Sequence, residues 1–389
     1  MTWSDEDRRF LREAFAIAER GRGGTSPNPL VGAVVVRDGR IVGRGYHERC
    51  GGPHAERVAL DEAGKLARGA ALYVTLEPCS VHGRTPPCTE RIVSAGIRRV
   101  VAPCCDPNPE VDGRGFETLR LAGVEVDAGL LRELAADQNA PYMTYRRTGR
   151  PYVRLKLACS LDGRIAGPSS GPRAISCPES LEEVHTLRSR VDGVLVGIGT
   201  ALADDPMLTD RRDGRPGRQP RRFVLDTEAR LATDSALVRT AGEVPTHVVC
   251  ADDADAARRS ELERLGVATI PAPRGPDGVD PRAALERIAA RGTLDLLCEG
   301  GSSLATSLLA RRLVDRLTLY IAPRLLGERG TPSFTQLPVE GLADGSCMRR
   351  VTWTQTGRDI RFEADLAAAA PADGPDAAFD RERSSCSRG

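Results

Sequence analysis

Residues 26–47, "SPNPLVGAVVVRDGRIVGRGYH", hold two apolar runs that meet at Asp38-Gly39. That dipeptide is a strong two-residue turn signal, so the stretch predicts a β-hairpin. Upstream, Ser4 stands where it can cap a helix carrying Phe10, Ala14, Ile17 and Ala18 on one face. Downstream the pattern predicts a helix over 54–64, a strand at "ALYVTLEP", a loop, a helix at "CTERIVSAG" and a strand at "RRVVAP". Strands alternating with helices predict a sheet with helices on its faces.

The character changes near residue 146. "YRRTGRPY" is basic, punctuated by Gly and Pro and without apolar period, which suits an inter-domain joint. "PYVRLKLACSLDGRIAG" then opens a second series, with strands expected at "GVLVGIG", "RRFVLD", "THVVCA", "LDLLCEGG", "RLTLYIAP" and "RDIRFEADL". Segments 211–220 and 271–281, dense in Arg, Pro, Gly and Asp, read as surface loops. The tail from about Ala367 has too little apolar content to order itself. Domains are therefore expected over 1–146 and 150–366, with 367–389 as a disordered tail, and there is no internal repeat.

Composition narrows the function classes. A chain of 389 residues fits two domains better than one core. With Lys+Arg 55 against Asp+Glu 54, no global field recruits nucleic acid or an anionic membrane. The apolar runs are too short to span a bilayer, and the start "MTWSDEDRRFLREAF" lacks the pattern of a signal peptide. Eleven cysteines, an odd number scattered over a long chain, argue for a reducing compartment in which thiolates can act as ligands. The cytoplasm is the expected location.

Chemistry concentrates around "GGPHAERVAL" and "TLEPCSVHGRTPPCTERI". Zinc with one open position needs three protein ligands, and His54, Cys79 and Cys88 supply an imidazole and two thiolates. His54 and Cys88 each open an expected helix, whose N-terminal partial charge helps hold a thiolate. Glu56 would then be an unligated carboxylate beside the metal, taking a proton from water and handing it to a leaving amine. H-x-E followed by P-C-x-x-C is the signature of zinc nucleobase deaminases. Two other readings stay open: a closed structural site with His82 or Cys50 as fourth ligand, and a nucleic-acid deaminase, which would want a basic, aromatic surface.

Here eight residues, 80–87, separate the two cysteines. With "SPNPLVGAVVV" before it and "DPNPEVDGRGFETLRLAGVEV" after it, the motif resembles the bifunctional riboflavin-biosynthesis deaminase-reductase family. The resemblance covers about residues 5–365. It implies an α/β chain: an N-terminal cytidine-deaminase-like three-layer domain, then a dihydrofolate-reductase-like α/β domain. It makes His54, Cys79 and Cys88 the zinc ligands and Glu56 the proton shuttle, and puts Asn28, His47 and Arg84 around the phosphoribosylated pyrimidine.

In the second half, "VGIGTALADDP" is an incomplete dinucleotide fingerprint, and "LLCEGGSSLATSLL" reads as a strand, a Gly turn and a helix whose first N–H groups can cradle phosphate. A plain tight turn that needs Gly for its backbone angles is the lesser alternative. The resemblance implies NADPH at Ala158, Thr200, Asp204, Thr227, Gly301, Ser302, Ser303, Leu304, Ala305, Thr306 and Ser307. It puts the reductase substrate at Arg188, Leu208, Arg211 and Glu299.

The implied activities are hydrolytic deamination of 2,5-diamino-6-(5-phosphoribosylamino)pyrimidin-4-one and NADPH-dependent reduction of the product's ribosyl group to ribityl. The expected partners are that small molecule and a second copy of the chain in a homo-oligomer, with no nucleic acid and no membrane. One stretch departs from the family pattern. "GPSSGPRAIS" puts Pro172 where the family has a substrate-binding Ser and Ala174 where it has a Trp against the cofactor. The alternative it raises is a paralogue with an active deaminase and an impaired or re-purposed reductase.

Overall fold

The structure is a computed structural model that describes residues 3–82, 86–167, 175–212, 218–337 and 347–366. The tail from residue 367 and positions 84, 172 and 174 lie outside the described residues. The chain divides into two compact units between Gly149 and Arg150.

The first unit runs α1 (Asp5–Ala18), β1 (Gly32–Arg37), β2 (Arg40–Tyr46), α2 (Ala55–Ala63), β3 (Ala71–Val74), α3 (Cys88–Ser94), β4 (Arg99–Ala102), α4 (Arg114–Leu121), β5 (Glu125–Ala128), α5 (Arg132–Gln138) and α6 (Ala140–Thr148). Ser4 caps α1 through a capping box, its hydroxyl accepting from Asp7 N–H while the Asp7 carboxylate accepts from Ser4 N–H. Asp38 and Gly39 both have positive φ, 50° and 71°, as the expected tight hairpin requires. α6 carries "YRRT" to a left-handed Gly149, so the basic stretch read as a joint is mostly a helix end.

Among the described residues the strands order β2-β1-β3-β4-β5, with β3, β4 and β5 parallel and β1 antiparallel to both neighbours. The period of two along β1 separates the cores. Ala33 and Val35 pack with α2, α3 and α4, whereas Val34 and Val36 pack with Phe10, Leu11 and Ala14 of α1. The result is three layers. α2 lies directly on β2: a Cβ on Gly43 would sit 2.2 Å from Ala59 O, and one on Gly45 2.2 Å from Ala55 O.

The second unit runs β6 (Tyr152–Ser160), β7 (Arg164–Ala166), α7 (Pro178–Arg190), β8 (Gly193–Gly197), α8 (Ile198–Asp204), β9 (Arg221–Leu225), α9 (Ala236–Arg239), β10 (Thr246–Ala251), α10 (Ala256–Arg264), β11 (Ala268–Ala272), β12 (Arg274–Gly275), β13 (Gly278–Val279), α11 (Pro281–Ala289), β14 (Asp295–Cys298), α12 (Ser302–Ala310), β15 (Arg316–Ala322), β16 (Thr331–Pro332), β17 (Met348–Thr356) and β18 (Asp359–Leu366). The main sheet orders β11-β10-β9-β8-β14-β6-β15-β18-β17. From β11 to β15 all pairs are parallel, which brings the carboxyl ends of those strands to one edge. Such an edge is where open α/β sheets bind ligands.

Two strands of the main sheet escape the sequence pattern for the same reason: both are edges. β11 contains Pro271, tolerated because its outer side has no partner strand among the described residues, and β17 is exposed along most of its length. Segment 271–281 is not simply a surface loop. It includes the ribbon of β12 with β13 and forms part of a cavity wall.

Replacing Gly45 by Ala forces a methyl group into the α2 backbone. The expected cost is about 1–3 kcal/mol of stability, read from urea unfolding of the purified chain. A change within about 0.5 kcal/mol would show that strand and helix separate without penalty.

Candidate active sites

His54 is the N-cap residue of α2, with extended backbone and no side-chain capping bond, so its imidazole is available. Its Nδ1 lies 3.3 Å from Cys88 Sγ and 3.5 Å from Cys79 Sγ. The Cys88 N–H, at the start of α3, donates to Cys79 Sγ (3.4 Å). Among the described residues, His54, Cys79 and Cys88 form the His/Cys/Asp/Glu group able to hold a metal, with ligand atoms all within 4.8 Å of one another. Zn–S of about 2.3 Å and Zn–N of about 2.0–2.1 Å imply S···N edges of about 3.5 Å in a tetrahedron, so the donor set fits zinc. Among the described residues no fourth side chain joins the set: Cys50 is exposed, and His82 is exposed with its Nε2 3.8 Å from Glu90.

The hydrogen bond with Cys88 draws the Cys79 thiol well below its ordinary value, helped by His54, and the same bond with burial pushes Cys88 up. Glu56, at the second helical position of α2, is 3% exposed and hydrogen-bonded with the Cys88 thiol. Burial, and then the Cys79 charge, push its carboxyl up to about 7. A carboxyl poised there is suited to proton transfer near neutral pH.

Asn28 and His47 arrive at the same place. His47 Nδ1 donates to Pro53 O (3.0 Å), which leaves Nε2 to accept from the Asn28 amide (3.0 Å), and its ring stands edge-on to His54 at 5.5 Å. A cavity of about 360 Å³ opens beside His54 and Cys88. Arg84 lies outside the described residues.

In the second unit a cavity of about 1450 Å³ runs along the carboxyl edge of the parallel strands. It is lined by Thr200, Asp204, Thr227, Gly301, Ser302, Ser303, Leu304, Thr306 and Ser307, while Ala158 and Ala305 do not line it. Gly300 and Gly301 have φ of 83° and 81°, and a Cβ on either would strike Leu157 (2.5 Å) or Thr200 Oγ1 (2.8 Å). No side chain caps α12, so its first N–H groups remain available for an anion. That cradle and that volume fit a dinucleotide.

Arg188, Leu208, Arg211 and Glu299 converge in this unit. Arg188 grips Glu299 through two bonds (2.6 and 2.8 Å) and donates to Thr209 O (3.0 Å), the residue after Leu208. The Arg211 N–H donates to His185 Nδ1 (3.2 Å).

Comparison with known proteins decides what these sites belong to. Residues 4–104 match the cytidine and deoxycytidylate deaminase zinc-binding region, and residues 151–362 match the RibD C-terminal domain. The riboflavin biosynthesis protein RibD of Aquifex aeolicus (strain VF5) is 39% identical, over 91% of this chain and 97% of its own length. That of Escherichia coli (strain K12) is 39% identical, over 91% of this chain and 98% of its own. The chain belongs to the RibD family. Among solved structures, Acinetobacter baumannii RibD superposes with a TM-score of 0.83 at 35% identity, covering 93% of this chain and 99% of that one. The Thermotoga maritima diaminohydroxyphosphoribosylaminopyrimidine deaminase/5-amino-6-(5-phosphoribosylamino)uracil reductase gives 0.80 at 32%, with the same coverage. As a RibD, the chain is a bifunctional deaminase and reductase of riboflavin biosynthesis with zinc and NADPH as cofactors. The alternative of a re-purposed reductase half gains no support from these relatives.

Two residues at these RibD sites escaped sequence reasoning. Glu77, two before Cys79, accepts from the backbone N–H groups of Asp106, Gly113, Gly115 and Phe116, at 2.7–3.3 Å. It ties the loop after β4 to the end of β3. Only "EPC" hinted at it. Lys156, on β6, is buried without an ion pair among the described residues, and burial lowers its pKa while Glu299 opposes that shift. Its signal was a lone lysine inside an apolar strand.

Purified protein is expected to carry about one zinc per chain, lost in Cys79→Ser or Cys88→Ser and kept in Cys104→Ser, as read by elemental analysis. Full zinc occupancy in either ligand variant would overturn the three-ligand assignment.

Proposed function

We propose that the first unit deaminates 2,5-diamino-6-(5-phosphoribosylamino)pyrimidin-4-one at His54, Cys79 and Cys88, with Glu56 as proton carrier. The observation that carries this reading is a buried, unligated Glu56 beside a three-ligand set. Bound there, zinc supplies a Lewis acid that makes water an effective nucleophile near neutral pH. Glu56 removes the water proton and delivers it to the departing amine, which leaves as ammonia. Asn28 and His47 hold the pyrimidine edge, and Arg84 meets the phosphoribosyl arm. His47 is fixed for this by its bond to Pro53 O.

The second unit then reduces 5-amino-6-(5-phosphoribosylamino)uracil. NADPH supplies the hydride when bound along Thr200, Asp204, Thr227 and the turn at Gly301. Arg188, Arg211, Leu208 and Glu299 take the substrate, arginines suiting its phosphate. As the ribose opens, the bond from C1 to the ring oxygen breaks, Lys156 protonates that oxygen, the nitrogen on C1 gives up its proton to solvent, and C1 becomes the imine carbon that accepts the hydride. The imine nitrogen takes a proton, leaving the ribityl amine.

We also propose that the chain works in the cytoplasm as a homo-oligomer. Among the described residues no helix is long and apolar enough to cross a membrane, and Cys159, Cys177, Cys250 and Cys298 are buried thiols. β17, an edge strand with Val351 and Trp353 exposed, suits pairing with a second copy. Light scattering is expected to give a mass above the 41.7 kDa of one chain, and a monomer at micromolar concentration would refute this.

Glu56→Gln keeps the shape and cannot cycle a proton. Ammonia release is expected to fall at least about a hundredfold with zinc retained, while NADPH consumption on the pre-deaminated substrate is unchanged. Deamination within about threefold of the parent would remove Glu56 from the mechanism.

A further inference from the structure

The large cavity does not end at the Gly300–Gly301 turn. It continues to the loop after β9, where Thr227 and Arg230 line it. β14, β8 and β9 are parallel neighbours, so two strand spacings, about 10 Å, separate the turn from this loop. A dinucleotide whose pyrophosphate sits on the turn can therefore bring its adenosine ribose to Thr227 and Arg230.

The loop is built to hold its shape. Asp226 is fully buried and accepts from Leu231 N–H (2.8 Å), and Ala229 between them has φ of 51°. Thr227 Oγ1 accepts from Val279 N–H (3.1 Å), which leaves its hydroxyl hydrogen for a ligand. Gly278 packs against that hydroxyl, since a Cβ there would lie 2.5 Å from it. The charges on the loop are unequally engaged. Glu228 is taken by Arg274 (2.7 Å), which also holds Asp253 (2.9 Å). Arg311, the other arginine on this part of the wall, is held by Asp277 (3.0 Å) and by Ser307 Oγ (3.0 Å). Arg230 is 53% exposed, with Nε 3.8 Å from Asp226 Oδ1, and its terminal nitrogens make no hydrogen bond among the described residues. Asp226 Oδ1 is itself buried without a hydrogen-bond partner among the described residues.

We propose that Arg230, with the Thr227 hydroxyl, receives the 2′-phosphate of the cofactor's adenosine and sets the preference for NADPH over NADH. The proposal rests on the reading of this cavity as the NADPH site. At the end of such a strand a carboxylate favours the free 2′-hydroxyl of NADH, and an arginine favours the 2′-phosphate. The carboxylate here, Glu228, is neutralised by Arg274, and a guanidinium with two unengaged nitrogens can hold a phosphate through paired bonds.

Calorimetric titration of the full chain with NADPH and NADH, and with 2′,5′-ADP and 5′-AMP, tests it without turnover. The parent is expected to bind each 2′-phosphorylated ligand more tightly than its counterpart. Arg230→Gln is expected to weaken NADPH and 2′,5′-ADP by about ten- to a hundredfold and to leave NADH and 5′-AMP within about twofold. Arg230→Lys, which keeps charge but not the paired donors, should retain part of the preference. Arg311→Gln should leave the ratio of the two dinucleotides unchanged. Equal weakening of both dinucleotides by Arg230→Gln, or no weakening, overturns the assignment, as does loss of preference in Arg311→Gln alone. A parent chain that binds neither dinucleotide would instead overturn the cofactor reading of the cavity.

Discussion

Helix α2 lies against β2 with no side chain between them at Gly43 and Gly45, and the zinc-ligand geometry depends on that contact. Because backbone meets backbone, the N-terminus of α2 reaches the sheet edge where β3 ends. His54, just before the helix, and Glu56, in its first turn, then face Cys79 and the start of α3 together. A thicker layer would move the imidazole away from two sulfurs that now stand 3.3 and 3.5 Å from it. The second constraint acts from the other side. Glu77 gathers four backbone N–H groups, so the segment leading into Cys79 is held to the loop after β4.

The two units solve the same electrostatic problem in different ways. In the first, the Cys88 thiol, with His54 and the Cys88 N–H, draws the Cys79 thiol below its ordinary value. Burial, and then the Cys79 charge, push the Glu56 carboxyl above an ordinary one. In the second, burial works to raise Glu299, but the Arg188 guanidinium, with Lys156 behind it, holds the carboxyl below its ordinary value. One buried acid is prepared to carry a proton, the other to stay charged. Helix starts serve both sites: the first N–H of α3 donates to the Cys79 sulfur, and the N-cap of α12 makes no side-chain bond, which leaves its first turn suited to an anion.

Much of the first site was legible because its chemistry is local. His54 and Glu56 sit two apart, Cys79 follows a strand, and Cys88 opens a helix; residue type and spacing alone select a zinc deaminase. The hairpin through Asp38-Gly39 and the capped first helix were legible for the same reason, since turn and cap chemistry act over two or three residues. The edge strands of the larger sheet were not. β17 and β11 lack a two-sided core to impose an apolar period, and only pairing with β18 and β10 makes them strands.

The sequence by itself determined which histidine, cysteine and carboxylate types stand close to one another in the first unit, most of the central strands and a change of character near residue 146, because each is written in neighbouring residues. Only the tertiary structure decided that Asn28 bonds to His47 beside His54, that a polar segment at 271–281 walls a cavity, and that Glu77 ties the loop after β4 to the end of β3. It also decided that Arg311 is held by Asp277 while the terminal nitrogens of Arg230 make no hydrogen bond among the described residues. These facts join residues tens to hundreds of positions apart, and burial, orientation and charge pairing exist only once the sheets have brought such residues to one edge.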